Sequence, residues 1–203
     1  MSRMKKNFLL LFGLILAFSV HAQDPMLARI KVTNSSVNSL ESDVYNKIIK
    51  SNKETIREGK LYYVKGDQFA AYFDSGDYMV INKNRMKIDI GLFHGKFKLG
   101  NDGALRSLSN VFLYGFQGRC EELAAEHDYN IESKKEGQTY KVVFSTKKKR
   151  LIGIGYQQIT FKYNINSLLL QEITLVDYKG TRDIYSISNM KYNTKVGLEK
   201  FNI

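Results

Sequence analysis

The chain contains 203 residues and carries a formal net charge of +11, with 12% aromatic residues and no tryptophan. This length suits one domain with a sizeable core, and the single cysteine, Cys120, excludes an internal disulfide. No zinc-finger or RNA-binding signature accompanies the positive charge, so nucleic acid is not expected as a partner. If the chain is exported, anionic lipid head groups or acidic proteins match this charge better.

The first 22 residues have the three-part pattern of a secretory signal peptide. Three cations precede an apolar run over residues 8–18, and small residues near Ala22 fit the site that a signal peptidase reads. The run is shorter than the roughly 20 residues that a transmembrane helix needs. Cleavage after Ala22 removes three positive charges and leaves one domain, residues 23–203, with a formal charge of +8. We therefore expect an exported protein.

The mature chain is predicted to open with a short helix and to continue into strands. Asp24 is expected as the helix N-cap and Pro25 as the first helical residue, and residues 40–49 have a strand pattern. Over residues 58–92, apolar and polar residues alternate, and short polar turns separate the runs. This tract predicts a meander of about four antiparallel strands, on which the rest of the fold is organised.

A longer helix is predicted from a cap at Asp102 to about Phe116. Leu105, Leu108, Phe112 and Phe116 recur at spacings of three and four residues, which places them on one helical face. A stripe of this kind is expected to pack against the rest of the fold.

The remaining elements complete a mainly β pattern. Residues 92–100 indicate either a short strand or an irregular segment, and residues 120–126 a short polar helix. From residue 129 to residue 190, strands resume with hairpin turns between them. Strands, then a helix pair, then strands, without βαβ alternation, predict an α+β, mainly β fold. One large, strongly curved antiparallel sheet should carry the helices against one face.

Residues 59–69 and the order of the elements resemble the periplasmic outer-membrane lipoprotein carriers of the LolA type. Gly59, Leu61, Tyr62, Lys65 and Phe69 are similar to that family's signature of glycine, leucine–aromatic, basic residue, proline and phenylalanine. The resemblance covers nearly all of the mature chain. It implies an unclosed, strongly bent β-barrel, a half-barrel whose hollow is covered by a lid of short helices.

The resemblance also implies a function. Carriers of this family bind the acyl chains of lipoproteins in a hydrophobic cavity and move them from the inner to the outer membrane. Acylated lipoproteins would be the cargo, an inner-membrane ATP-driven transporter the donor, and an outer-membrane acceptor or the membrane itself the recipient. A periplasmic monomer without cofactor or metal is expected. The alternative is an envelope sensor of lipid or lipoprotein, or a carrier of another lipid, with the same fold.

The resemblance implies a lid contact and a set of cavity residues. Lys65 is the expected lid contact because it stands at the family's arginine position, and Gly66 stands where the family has proline. Lysine cannot make the forked contact of arginine, so this contact is expected to be weaker or absent. Ordinary core packing is the alternative for the cavity residues. These residues are Leu61, Tyr63, Phe69, Met86, Ile88, Ile90, Leu105, Leu108, Phe112 and Phe116.

Two further features have simple interpretations. The basic run at residues 147–150 is interpreted as a solvated loop, with contact to anionic lipid or an acidic partner as the alternative. Cys120 and His127 could in principle form a nucleophile and its base. No motif around them supports a hydrolase, so an enzyme is not expected.

Overall fold

The computed structural model describes residues 24–90, 93–100, 103–146 and 155–203. The predicted signal peptide, the basic run at residues 147–150 and Asp102 lie outside the described residues. The helices within them are α1 (Pro25–Ser35), α2 (Ala104–Gln117), α3 (Cys120–His127) and a 3-10 helix (Leu198–Phe201). The strands are β1 (Ser39–Lys50), β2 (Lys53–Val64), β3 (Gln68–Phe73), β4 (Tyr78–Asn82), β5 (Arg85–Ile90), β6 (Phe93–Lys98), β7 (Tyr129–Glu136), β8 (Thr139–Thr146), β9 (Tyr156–Asn164), β10 (Leu170–Asp177) and β11 (Arg182–Tyr192).

These strands form one antiparallel sheet in the order β6-β5-β4-β3-β2-β1-β11-β10-β9-β8-β7. The first and last strands pair at its centre, where Val44 lies opposite Ile187. Within the described residues the edge strands β6 and β7 are not hydrogen-bonded to each other, so the sheet stays open. The predicted mainly β half-barrel with short helices is confirmed.

The period-two pattern decides which side chains face the core. On β2 and β3, Leu61, Tyr63 and Phe69 expose at most 1% of their surface and pack in the main apolar core. Ala70 and Tyr72 belong to a second apolar cluster on the other face. Successive side chains of a strand point to opposite faces, so the sheet has one face toward the helices and one away from them.

Gly59 allows β2 and β3 to pass close to each other. A Cβ atom at this position would lie 2.0 Å from the carbonyl oxygen of Tyr72 on β3. No other residue fits there without moving the backbone, which explains a glycine inside a strand.

Helix α2 turns its predicted apolar face toward the sheet. Leu108, Phe112 and Phe116 are buried, whereas Leu105 in the first turn is only partly buried. The helix therefore packs most tightly along its second half.

The ends of α2 and the segment before it differ in detail from the predictions. The helix begins at Ala104 after Gly103, which provides no side-chain cap, and not directly after the predicted cap at Asp102. It ends at Gly118, whose φ of 66° is the left-handed conformation typical of glycine at this position. The ambiguous segment before α2 contains strand β6.

The C-terminal residues pack on the outer face of the sheet. Phe201 is fully buried against Ala70 and Val80. The hydroxyl of Tyr72 donates to the carbonyl oxygen of Lys200 at 2.7 Å, and further hydrogen bonds hold this turn in place. The outer face is thus covered at β3 and β4.

Helix α1 is fixed to the sheet through its N-cap. The carboxylate of Asp24 accepts a hydrogen bond from the backbone amide of Met26 at 2.9 Å, as the sequence predicted. It also accepts hydrogen bonds from the hydroxyls of Ser133 on β7 and Tyr140 on β8. Partial burial acts to raise the pKa of Asp24, but these three hydrogen bonds outweigh it and lower the pKa.

We expect Asp24→Ala to lower the free energy of unfolding by about 1–2 kcal/mol at pH 7, because the helix loses its cap. A lowered folded-state pKa means that the charged form stabilises the fold above the unfolded-state pKa of about 3.9. The stabilisation disappears as the pH falls through the folded-state value. Urea unfolding at pH 7 and near pH 3 measures the loss that Asp24→Ala causes at each pH. Asp74→Ala, at an exposed position, is the control. A difference independent of pH would contradict the role of the charge.

Candidate functional site

The second half of α2 is packed tightly on the concave face of the sheet. The Phe112 ring lies 4.9 Å from the ring of Phe69 and 5.0 Å from that of Tyr185, measured between centroids. Phe116 stacks on Tyr63 at 5.5 Å and contacts Phe69 at 5.9 Å. Aromatic pairs at these distances attract each other beyond the effect of their burial. This half of the hollow is therefore filled by the protein's own side chains.

An apolar cavity of about 380 Å³ lies beneath the first turns of α2. Four of the predicted cavity residues line it together: Ile88 and Ile90 on β5, and Leu105 and Leu108 on α2. Tyr156 and Tyr185 add two aromatic rings, and the other apolar side chains of the lining are Ile48, Met79, Phe93 and Ala104. Its volume is at the lower end of the range for ligand pockets, about 300–1,000 Å³.

The remaining predicted cavity residues lie elsewhere on the same concave face. Tyr63, Phe69, Phe112 and Phe116 form the packed contact between α2 and the sheet. Leu61 and Met86 are fully buried in the core beside it. The predicted cavity residues are thus divided between a filled half and an open half of the concave face.

Sequence reasoning missed several residues of the cavity. Phe93 begins β6, in the segment that was ambiguous from its pattern, and 54% of its surface is exposed. An exposed phenylalanine at the edge of an apolar cavity indicates a binding surface, and this exposure is seen only in the structure and not in the sequence pattern. Arg57 and Asp183 also line the cavity, and their patterns gave no such indication.

Two charged residues, Asp183 and Arg57, border the apolar lining. The carboxylate of Asp183 accepts hydrogen bonds from the amide of Asn46 and, at 2.9 Å, from the hydroxyl of Tyr185. Burial raises the pKa of Asp183, and these hydrogen bonds together with the positive charge of Arg57 oppose that rise only in part. Burial at this end of the cavity therefore disfavours the charged form of a carboxyl group.

A second, polar hollow of about 670 Å³ adjoins the apolar cavity and shares Tyr156 with it. On its wall, Asn110 and Tyr114 of α2 donate hydrogen bonds to Glu126 of α3 at 3.0 and 2.7 Å. Partial burial, together with the hydrogen bond to Glu126, raises the pKa of Tyr114 to about 12. This network joins the two helices and fixes the side of α2 that faces away from the cavity.

Lys65 contacts a helix, but this helix is α1. Its Nζ atom donates to the carbonyl oxygen of Ser35 at 2.7 Å, in the last turn of α1. A cation at a helix C-terminus satisfies a free carbonyl and interacts favourably with the helix dipole. The contact is exposed to solvent, so we expect it to contribute little to stability.

Cys120 and His127 have separate partners in the structure. The sulfur of Cys120 is buried and lies 3.5 Å from the hydroxyl of Tyr163. Burial raises the pKa of the Cys120 thiol to about 12, which leaves almost no nucleophilic thiolate near neutral pH. The Nε2 atom of His127 lies 3.1 Å from the side-chain amide of Asn110. Among the described residues no group of three or more His, Cys, Asp or Glu side chains is arranged to hold a metal ion.

No family model matches this sequence, and no curated protein matches it. Solved structures with a similar backbone include a DUF1329 family protein from Desulfovibrio piger, 14% identical, covering 88% of this chain and 95% of that one with a TM-score of 0.47. A LolA superfamily protein from Nitrosomonas europaea is 8% identical, covering 88% and 96% with a TM-score of 0.43. A domain named for outer-membrane lipoprotein sorting from Vibrio parahaemolyticus is 11% identical, covering 87% and 94% with a TM-score of 0.45.

These neighbours include proteins of the family that the sequence resembles. Similarity at these identities concerns the course of the backbone, so what this chain binds must be argued from its own cavity. None of the helices in the described ranges is both long and apolar enough to cross a membrane.

We expect Phe112→Ala to lower the free energy of unfolding by about 3–5 kcal/mol, because it leaves a void between two aromatic rings. Phe93→Ala is the matched control and should cost less than about 1 kcal/mol, since that ring is largely exposed. Urea unfolding of both variants measures the difference. Equal losses would show that Phe112 is not the main anchor of α2.

Cys120 is expected to be unreactive toward 5,5′-dithiobis(2-nitrobenzoic acid) in the folded protein at pH 8. With a pKa of about 12, roughly one thiol in ten thousand is ionised, and burial blocks access to it. The same protein in guanidinium chloride should release one equivalent of chromophore. Rapid labelling without denaturant would contradict the buried position.

Proposed function

We propose that this chain is an exported carrier that binds acyl chains of lipoproteins in the apolar cavity and moves them from the inner to the outer membrane. The observation that supports the proposal is the cavity beneath α2, where Ile88, Ile90, Leu105 and Leu108 come together from a strand and a helix. An apolar hollow that the protein does not fill with its own side chains supports binding of an apolar group.

The energetics of such binding are sufficient without covalent chemistry. Burying an acyl chain contributes about 0.8 kcal/mol per methylene, so about ten methylenes contribute about 8 kcal/mol. Before the cost of ordering the chain, this corresponds to a Kd of about 1 µM. An affinity in this range allows both capture and release, as a carrier requires.

Helix α2 supports the lid part of the proposal. Leu105 and Leu108 belong to its first turns, which cover the cavity, whereas Phe112 and Phe116 anchor its second half. Displacing Leu105 exposes less apolar surface than displacing the whole helix, since that residue is already partly exposed. We infer that an acyl chain enters by moving the first turns of α2 while the aromatic contact holds the rest.

The cavity volume limits how much cargo the closed form can hold. About 380 Å³ suits part of one acyl chain, so a lipoprotein with three chains would need a larger opening of the lid. The positive charge of the chain would favour encounter with anionic membrane surfaces on both sides of the transfer. An inner-membrane transporter as donor and an outer-membrane acceptor complete the proposed route.

The test is binding of a synthetic triacylated lipopeptide, measured by native mass spectrometry and by isothermal titration calorimetry. The wild-type protein should bind about one lipopeptide per chain. Leu105→Glu should weaken binding at least tenfold, because a carboxylate at the cavity wall must be desolvated when the acyl chain enters.

Leu198→Glu is the matched control, since Leu198 is exposed on the outer face near the C-terminus. It should bind as the wild type does. Equal binding by all three proteins would show that the first turn of α2 does not cover the site, and no binding by the wild type would overturn the proposal. Phe112→Glu is unsuitable here because it places a charge in the packed half and destabilises the fold.

A further inference from the structure

A polar strip crosses the concave face at one end of the cavity. Arg57 on β2 lies directly opposite Asn46 on β1, and Asn46 lies opposite Tyr185 on β11. Asp183 precedes Tyr185 by two residues and therefore points to the same face. Of these four residues, Arg57, Asp183 and Tyr185 line the cavity.

Arg57 brings hydrogen-bond donors to this apolar site. Its side chain is only 12% exposed, and its Nε atom pairs with Oδ2 of Asp77 at 2.8 Å. Its Nη1 atom is buried and has no hydrogen-bond partner among the described residues. A buried donor without an acceptor is costly, so a small movement of the Arg57 side chain that brings this donor to an oxygen atom of a bound molecule would be favourable.

The net charge of the lining is not positive. Arg57 carries one positive charge, whereas Asp177 and Asp183 each add a carboxylate, and the charge of Arg57 is already paired with Asp77. The Asp177 carboxylate accepts hydrogen bonds from the amides of Lys179 and Thr181, both at 2.8 Å. An anionic ligand would therefore meet like charges as well as the guanidinium.

Burial also favours an uncharged ligand over an anionic one. The surroundings that raise the pKa of Asp183 disfavour any carboxylate at this end of the cavity. An uncharged oxygen acceptor escapes that penalty and can still accept a hydrogen bond from Arg57.

We infer that the cavity binds a single acyl chain through an uncharged carbonyl group, an acyl ester or an acyl amide held by Arg57, and discriminates against free fatty acids. This inference rests on the proposed function and specifies its ligand. The apolar residues of the lining contact the acyl chain, and Arg57 and Asp183 contact its polar head group. The volume of about 380 Å³ limits the closed site to one chain.

The experiment compares four ligands that share a twelve-carbon chain: 1-monododecanoylglycerol, N-dodecanoylethanolamine, dodecanoate and dodecanol. Isothermal titration calorimetry is performed at pH 8, where dodecanoate is ionised, and below micellar concentrations. The ester and the amide should bind about tenfold or more tighter than either dodecanoate or dodecanol, which corresponds to about 1.4 kcal/mol. Dodecanoate lacks an uncharged head, and dodecanol lacks the carbonyl.

Three variants separate the role of Arg57 from that of its ion pair. Arg57→Met should bring the affinities for ester and dodecanol to within about twofold, because the donor is lost. Asp77→Asn breaks the ion pair but keeps the guanidinium, and should keep the preference for the carbonyl. Arg85→Met is the matched surface control and should behave as the wild type does.

The outcomes distinguish this inference from the proposed function. Dodecanoate binding as tightly as the ester in the wild type would overturn the inference, even if Arg57→Met does not fold. Loss of the carbonyl preference in Asp77→Asn would also overturn it, because the ion pair would then be the cause. If the triacylated lipopeptide binds but the four ligands bind equally, only the inference fails. If neither the lipopeptide nor any single-chain ligand binds, the proposed function fails with it.

Discussion

The stacking of α2 on the sheet through Phe112 and Phe116 is the contact on which the concave face depends. Phe112 reaches Phe69 from one side of the half-barrel and Tyr185 from the other, so one ring joins β3 to β11 across the hollow. Without this bridge the helix would lose its largest aromatic contact with the sheet, and the apolar surface around Phe69 and Tyr185 would be exposed to water. The cavity lies beside this contact, beneath the first turns of the same helix.

The polar strip gives the apolar hollow a charged end. Buried charges need partners, and both charges have them: Arg57 pairs with Asp77, and Asp183 accepts hydrogen bonds from Asn46 and Tyr185. In the proposed binding mode, the same end of the cavity provides the polar contact for a ligand head.

Much of the fold follows from local sequence patterns, whereas the division of the concave face does not. Alternation showed which strand residues share a face, and the family resemblance indicated that the face of Leu61, Phe69 and Ile88 is the concave one. Helical spacing predicted the buried face of α2. None of these says which residues are packed and which line a space. That depends on where α2 lies relative to the sheet. Arg57 and Asp183 are 126 positions apart, and the pairing of β1 with both β2 and β11 brings them to the same part of the concave face: Arg57 is in the row of Asn46 and Tyr185, and Asp183 lies opposite Ile48. The local sequence around a charged strand residue does not predict a neighbour so far away in the chain.

The anchoring of α2 limits the motion that a carrier could use. Tyr163 donates a hydrogen bond to the carbonyl oxygen of Gly115 at 3.0 Å, and a Cβ atom on Gly115 would meet the ring of Phe161 at 3.3 Å. The second half of the helix is thus held at van der Waals distance from β9. A rigid withdrawal of the whole helix would break this contact and the aromatic bridge together, whereas lifting the first turns breaks neither. Opening by the first turns would therefore enlarge the cavity while the packed half of the concave face stays intact.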